Sequence, residues 1–209
     1  MDERLPLFPL GLVLLPGEPV PLHIFEPRYK EMVGLCLDGD RPFGIVHASE
    51  EALARVGTTA WIRRVVTRYD DGRLDIIVEG DARFRLTGVH RDLPFLAADI
   101  EPVDDVDGAP GDAALRQRVI TQHMKLIEMA GGEVRPDVYD GPPNVSFIVA
   151  RNAGLELEQK QELLEMRSEG KRLAFLVRHF KGILTRVRRA QEIRDLSRGD
   201  GHPDGLPEF

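Results

Sequence analysis

Ser168, Glu169, Gly170 and Lys171 spell S-x-x-K, the arrangement in which penicillin-binding enzymes place a serine nucleophile one helical turn from a lysine. Neither companion motif of that group occurs, so the four residues read as the beginning of a helix. Phosphate-cradling chemistry needs a glycine-rich loop ending in Gly-Lys-Ser/Thr. Here Gly170-Lys171 is followed by Arg172, and no glycine stands five residues ahead of Gly170. The six histidines, at 23, 47, 90, 123, 179 and 202, have no neighbouring His, Cys or carboxylate at a spacing that gives three zinc ligands from one element. Asp104-Asp105-Val106-Asp107-Gly108 has the acidic repeat of a calcium loop, but Val103 stands at its first ligand position and Ala114 at its closing glutamate. That stretch reads as an acidic linker. The sequence therefore predicts no catalytic group, no metal and no cofactor.

What remains is recognition without covalent chemistry. Glu26, Arg28 and Tyr29 cluster after an apolar stretch, and they read as a helix start, with Glu26 at the positive end of the dipole and Tyr29 packing inward. Apolar residues that a small sheet cannot fully hide are the candidate peptide-binding surface: Phe8, Phe25, Tyr29 and Phe43. Arg178, Lys181 and Arg189, on the last helix, are the candidate basic partner surface.

The elements that must position these residues begin with LPLFPLGLVLLPGEPVPLHIFEPRY, residues 5–29. Prolines at 6, 9, 16, 19, 21 and 27 lack the amide donor and clash with a preceding helical turn, so the segment is extended. Leu12 to Leu15 is a short buried-strand candidate, Pro16-Gly17-Glu18-Pro19 a turn, and Leu22, Ile24 and Phe25 a second apolar strand. Tyr29, Met32, Val33 and Cys36 fall at helical spacing between Arg28 and Leu37, and Phe43 to His47 reads as a strand. Residues 50–56 are a loop or a single helical turn. Asp70-Asp71-Gly72 separates two β-rich runs as a hairpin turn does, and Gly80-Asp81 is expected to be the next turn. Strands at such regular spacing up to Val103 suggest a small barrel or meander.

From residue 103 to 112 the pattern changes to helix. Asp112 can cap a helix whose face carries Leu115, Val119, Gln122, Leu126 and Ile127, and Gly131-Gly132 stops it. Short helices are expected over 144–153 and 158–166, and a long one over 169–196. Leu173, Leu176, Val177, Phe180, Ile183, Leu184 and Val187 form its apolar stripe. Between Lys171 and Arg198 there are nine basic and two acidic residues, a surplus of +7 that leaves −14 for the rest of a chain of net charge −7. Residues 1–106 are thus read as a β subdomain, 107–199 as a helical subdomain and 200–209 as a flexible tail.

L-P-L-F-P-L, V-L-L-P-G-E and P-L-H-I-F-E-P-R-Y together resemble the opening of the substrate-binding domain of Lon proteases. The likeness continues through Asp71-Gly72-Arg73-Leu74, Glu79-Gly80, Arg83-Phe84-Arg85 and Phe95-Leu96-Ala97-Ala98. It reaches Lys160-Gln161-Glu162-Leu163-Leu164-Glu165 and Arg172-Leu173, so that it covers roughly residues 4–195. The opening motif is specific, and the later ones are individually weak. The resemblance implies an α+β fold, a PUA-like β-barrel subdomain followed by a helical bundle with a long C-terminal helix. It also implies a noncatalytic module that holds unfolded or exposed apolar polypeptide segments, as an adaptor or chaperone-like binder working with a separate protease. A chain of 209 residues has no room for an ATPase module and a Ser-Lys peptidase behind it, so a free-standing relative is expected.

Composition bounds the alternatives. With 42% hydrophobic and 30% charged residues the body is expected to fold rather than remain disordered. The net charge of −7 disfavours phosphate backbones, so nucleic acid is the runner-up partner, supported by the basic helix and by the RNA-binding proteins that share PUA-like barrels. An enzyme with an unrecognised small-molecule pocket comes third. The single cysteine, Cys36, lies in an apolar pattern and excludes a disulfide framework within the chain. Asp2, Glu3 and the early prolines are unlike a signal peptide, and no run approaches the ~20 apolar residues that cross a bilayer. A cytoplasmic location is expected, with no membrane contact, and the oligomeric state is left open.

Overall fold

The computed structural model describes residues 4–106, 112–140 and 144–199, and leaves undescribed the side chains of residues 187–188 and 190–199. The 200–209 tail and part of the linker between the two expected subdomains lie outside the described residues. Among the described residues there are six strands and five α-helices, the first helix standing between the second and third strands and the other four following the last strand. They are β1 (Leu5–Leu10), β2 (Pro19–Ile24), α1 (Pro27–Asp38), β3 (Phe43–His47), β4 (Val56–Arg68), β5 (Leu74–His90), β6 (Leu96–Pro102), α2 (Ala113–Met129), α3 (Val145–Ala150), α4 (Leu157–Glu165) and α5 (Glu169–Gly199).

The proline-rich opening is extended as expected, but its strands are β1 and β2 rather than Leu12 to Leu15. Val13, Leu14 and Leu15 are buried without joining the sheet, because their backbone groups find other partners. The Leu14 carbonyl accepts from Thr58 Oγ1 at 2.6 Å, and the Leu15 N–H donates to Glu18 Oε2 at 2.9 Å. Gly17 turns the chain at φ +68°, and its N–H donates to the Gly80 carbonyl at 2.6 Å. Gly80 is therefore not a turn. It sits inside the long strand β5, where a Cβ would stand 2.3 Å from the Leu15 carbonyl oxygen. A glycine within a strand here marks the close approach of another backbone segment.

The sheet order is β2-β5-β4-β3-β1-β6, and β6 also pairs with β5. The β1–β3 pairing is parallel, and the others are antiparallel. One edge of β5 carries β2 along residues 74–79 and β6 along residues 84–90, so the pairings β5-β4-β3-β1-β6 run full circle and β2 stands outside them. Helix α1 lays Tyr29, Met32, Val33 and Cys36 against Phe8, Ile24, Phe43, Ile76 and Val78. The hairpin between β4 and β5 turns at Gly72, φ +80°, as Asp70-Asp71-Gly72 predicts.

In the second half, the Asp112 side chain accepts from the Ala114 N–H at 2.9 Å and caps α2, and Gly131 follows its end at φ +75°. Leu173, Leu176, Val177 and Phe180 of α5 are buried against Val119, Val145, Val149, Leu163 and Leu164. The side chain of Val187 lies outside the described residues. Val13, Leu15 and Val56 from the first half belong to the same cluster, so helices and strands share a core.

Among the polar contacts that stitch the halves, two groups are densest. Lys160 Nζ meets Glu18 Oε1 at 2.7 Å, and Arg151 Nη2 donates to the Pro16 carbonyl at 2.9 Å, both on the P-G-E turn. At the second, Arg172, read from sequence as part of the basic surplus of the last helix, is 0% exposed. Its guanidinium donates to both oxygens of Asp105, to Glu169 Oε2 and to Ser146 Oγ. Asp105 is thus not a solvated linker residue, since Arg83 Nη2 also donates to it at 2.7 Å while Arg83 Nη1 holds the Leu164 and Met166 carbonyls.

Candidate functional site

Strand alternation decides which side chains the sheet offers to solvent. In β2 and beyond, Ile24 points into the core, so His23 and Phe25 point out. In β5, Leu74, Ile76 and Val78 point in, so Asp75, Ile77 and Glu79 point out. Register brings these onto one surface: His23 lies opposite Asp75, Pro21 opposite Ile77 and Pro19 opposite Glu79, with Thr67, Arg64 and Trp61 of β4 facing the same three β5 residues.

Phe25 is 58% exposed at one end of this face, and Val66 and Tyr69 are exposed beside the end of β4. Asp75 organises them. Its Oδ1 lies 2.6 Å from His23 Nδ1 and its Oδ2 accepts from the Tyr69 hydroxyl at 2.7 Å. These bonds, His23 first and Tyr69 second, hold the Asp75 carboxyl below its ordinary range, and the same bond pushes the Tyr69 phenol up. The His23 ring stacks on Phe25 at 5.9 Å and meets Tyr69 edge-on at 6.1 Å, and the Arg73 guanidinium sits 4.8 Å above the Tyr69 ring. At the other end Trp61 Nε1 donates to Asp81 Oδ2 at 3.3 Å, and Arg63 forks onto Glu79 at 3.2 and 3.4 Å. The result is an aromatic and aliphatic surface pinned by hydrogen bonds.

Both flanks resist strand addition. Among the described residues, no strand pairs with the far side of β2 or with that of residues 61–68 of β4, since β3 pairs β4 only along residues 58–60. Prolines in an edge strand turn their missing N–H outward, and Pro19 and Pro21 leave the free edge of β2 short of donors. Two register shifts, between Ile62 and Arg64 and between Val65 and Thr67, break the free edge of β4.

Of the four residues expected to form a peptide-binding surface, only Phe25 is on the outside. Phe8, Tyr29 and Phe43 are 6, 8 and 0% exposed. The Phe8 ring lies tilted against Tyr29, centroids 4.0 Å apart, and meets Phe43 at 6.1 Å, so the three pack together in the core with α1. Arg178, Lys181 and Arg189 are exposed on α5, as their wheel positions require, and none has an ion-pair partner among the described residues. Sequence reasoning missed His23, Tyr69, Val66, Trp61 and Ile77. The signal for Ile77 was present, since it is apolar between inward-facing Ile76 and Val78. Ser168 buries its hydroxyl where it accepts from the Lys171 N–H at 3.4 Å, which makes it a helix-start residue. Among the described residues no cluster of three His, Cys, Asp or Glu could hold a metal ion, and no helix is long and apolar enough to cross a membrane.

Comparison with known proteins agrees with this architecture. The sequence model of the ATP-dependent protease La (LON) substrate-binding domain matches residues 4–181. The Lon protease of Paraburkholderia phytofirmans is 30% identical over 95% of this chain and 26% of its own length, and that of Cytophaga hutchinsonii is 29% identical over 83% of this chain and 23% of its own. The chain therefore spans about a quarter of these relatives. A crystal structure of a Lon N-terminal domain protein from Xanthomonas campestris superposes with a TM-score of 0.65 at 26% identity, covering 83% of this chain and 96% of that one. The N-terminal domain of a Mycobacterium avium complex Lon protease shares the fold, with a TM-score of 0.66 at 17% identity over 86% of this chain and 98% of that one. The motifs, the fold and a match running from Arg4 to Lys181 place this chain in the family of LON substrate-binding domains.

Proposed function

We propose that this chain is a noncatalytic polypeptide-binding module that holds exposed apolar segments on the outer face of β2, β5 and β4 and works with a Lon-type protease. The observation that carries this reading is the pinned aromatic end of that face, Phe25, His23 and Tyr69 around Asp75, which leaves Phe25 58% exposed. Aromatic side chains already held in place bury large apolar areas at small entropic cost, the composition that dominates interface energetics. The blocked edges of β2 and β4 favour side-chain contact over the strand-addition mode. Within this reading the circular pairing of strands is a PUA-like barrel, residues 1–106 and 107–199 are its β and helical subdomains, and the chain acts in the cytoplasm.

Capture of a chemically unfolded model protein by the purified chain tests the proposal. Binding that falls when Phe25 and Tyr69 are replaced by serine, with the fold unchanged, supports it. A second reading, RNA binding, is favoured by one observation only, the exposed cations Arg178, Lys181 and Arg189 on α5, which have no ion-pair partner among the described residues.

A further inference from the structure

Between Lys171 and Gln191 the longest helix, α5, carries no Asp or Glu. Its inner side buries Leu173, Leu176 and Phe180, and Arg178, Lys181, Arg186 and Arg189 stand exposed on the outer side. Arg178 and Arg189 are roughly 16 Å apart along the axis, at ~1.5 Å per residue. None of the four side chains has an ion-pair partner among the described residues. Gly182 lies among them, and a Cβ placed there would meet nothing within 4 Å, so no neighbouring element covers this side of the helix.

Helix α4 has the opposite character. Its inner side buries Leu163 and Leu164, and its outer side carries Glu158, Glu162 and Glu165, all exposed, at i, i+4 and i+7. These carboxylates span roughly 10 Å of the axis. Glu158 and Glu162 have no partner among the described residues, and Glu165 accepts only from Gln161 Nε2 at 2.8 Å. The one lysine of α4, Lys160, turns away to Glu18 at 2.7 Å and neutralises none of them. Among the described residues no ion pair joins the two faces within the chain.

We infer that the outer face of α5 docks the outer face of α4 on a second copy of this chain. Two different faces meet, so each copy offers one of each and the copies join head to tail, as a ring or an open chain. A single nucleic-acid strand fits the α5 face less well, because such strands are held by stacking on exposed rings and the rings of this stretch, Phe175 and Phe180, pack with the core. Exposed ion pairs are individually weak, so the contact is weak and forms at high protein concentration. The sheet face described above takes no part in it.

Sedimentation velocity of the full chain over a concentration series, at about 0.1 M and about 1 M salt, tests this. The screening lengths are about 10 Å and about 3 Å, so the lower salt damps repulsion between whole chains of charge −7 and spares contacts between touching side chains, which the higher salt weakens. Concentration-dependent association is expected at the lower salt and its loss at the higher. Reversing α5 (Arg178→Glu with Lys181→Glu and Arg189→Glu) or α4 (Glu158→Lys with Glu162→Lys) is expected to weaken association at least about tenfold, because like charges then face each other. Mixing the two variants in equal amounts is expected to restore it, and attraction between whole chains cannot do so, since both variants keep a net negative charge. Circular dichroism and melting of each variant show that the fold is retained. A monomer at every concentration, association indifferent to salt or to either reversal, or a mixture that stays monomeric overturns the inference. Association that nuclease treatment abolishes overturns it as well and assigns the α5 face to nucleic acid.

Discussion

Arg172 on α5 and Asp105, just beyond the last strand, meet as a two-pronged ion pair, Nη1 to Oδ1 at 2.7 Å and Nη2 to Oδ2 at 2.5 Å, with the guanidinium fully buried. Arg83 of β5 shares the same carboxylate, so one acid ties the strands to the longest helix. Removing one member of such a pair leaves an uncompensated buried charge. Asp105→Asn or Arg172→Met is expected to cost about 3–5 kcal/mol, read from urea midpoints. A loss below about 1 kcal/mol means the contact is incidental.

The same pair sets an acid limit. Burial alone would raise the Asp105 carboxyl, but Arg172 and then Arg83 outweigh it and hold it below its ordinary value. A carboxylate depressed in the folded state contributes stability that is complete above its unfolded value of 3.8 and is lost as pH falls through the lower folded value. Unfolding midpoints followed downward in pH should therefore drop more in the parent than in Asp105→Asn. Parallel curves would contradict this.

Gly80→Ala is expected to destabilise by about 1–3 kcal/mol or more, because the added methyl meets the Leu15 carbonyl oxygen at 2.3 Å and neither backbone can yield freely. Thermal unfolding checks it. An unchanged midpoint would mean the P-G-E turn does not dock on β5.

Leu15→Asp and Phe25→Asp are expected to part company. The first places a charge in the shared core without a partner and should abolish soluble expression. The second lies at an exposed site and should shift stability by about 0.5 kcal/mol or less. Solubility and melting of the two variants decide the matter.

That contrast shows where sequence reasoning stopped. Prolines fixed the extended opening, helical spacing found α1 and α5, and Asp70-Asp71-Gly72 located the hairpin. Each of these is a local rule. Phe8 and Phe25 both follow apolar residues in a proline-rich stretch, and only sheet register and the seat of α1 send one inward and the other out. Gly80 looked like a turn because its reason for being glycine, the Leu15 backbone, lies more than sixty residues away. Arg172 falls within the basic surplus of the last helix by sequence alone for the same reason: its partner Asp105 is distant in sequence.

The basic face of α5 is a separable question. Replacing Arg178, Lys181 and Arg189 with glutamine should leave stability nearly unchanged, since all three are exposed and unpaired among the described residues. Client capture should persist with shallow salt dependence. If RNA is the partner, the slope of log affinity against log salt should fall by roughly two to three units, at ~0.7–0.9 per phosphate contact.

The most direct measurement is affinity for an unfolded client before and after Phe25→Ser with Tyr69→Ser, beside the Arg178, Lys181 and Arg189 glutamine variant as control. The account predicts that the serine pair loses most of the binding while its melting curve stays that of the parent, and that the control binds normally. Full binding by the serine pair, or loss only in the control, would contradict it.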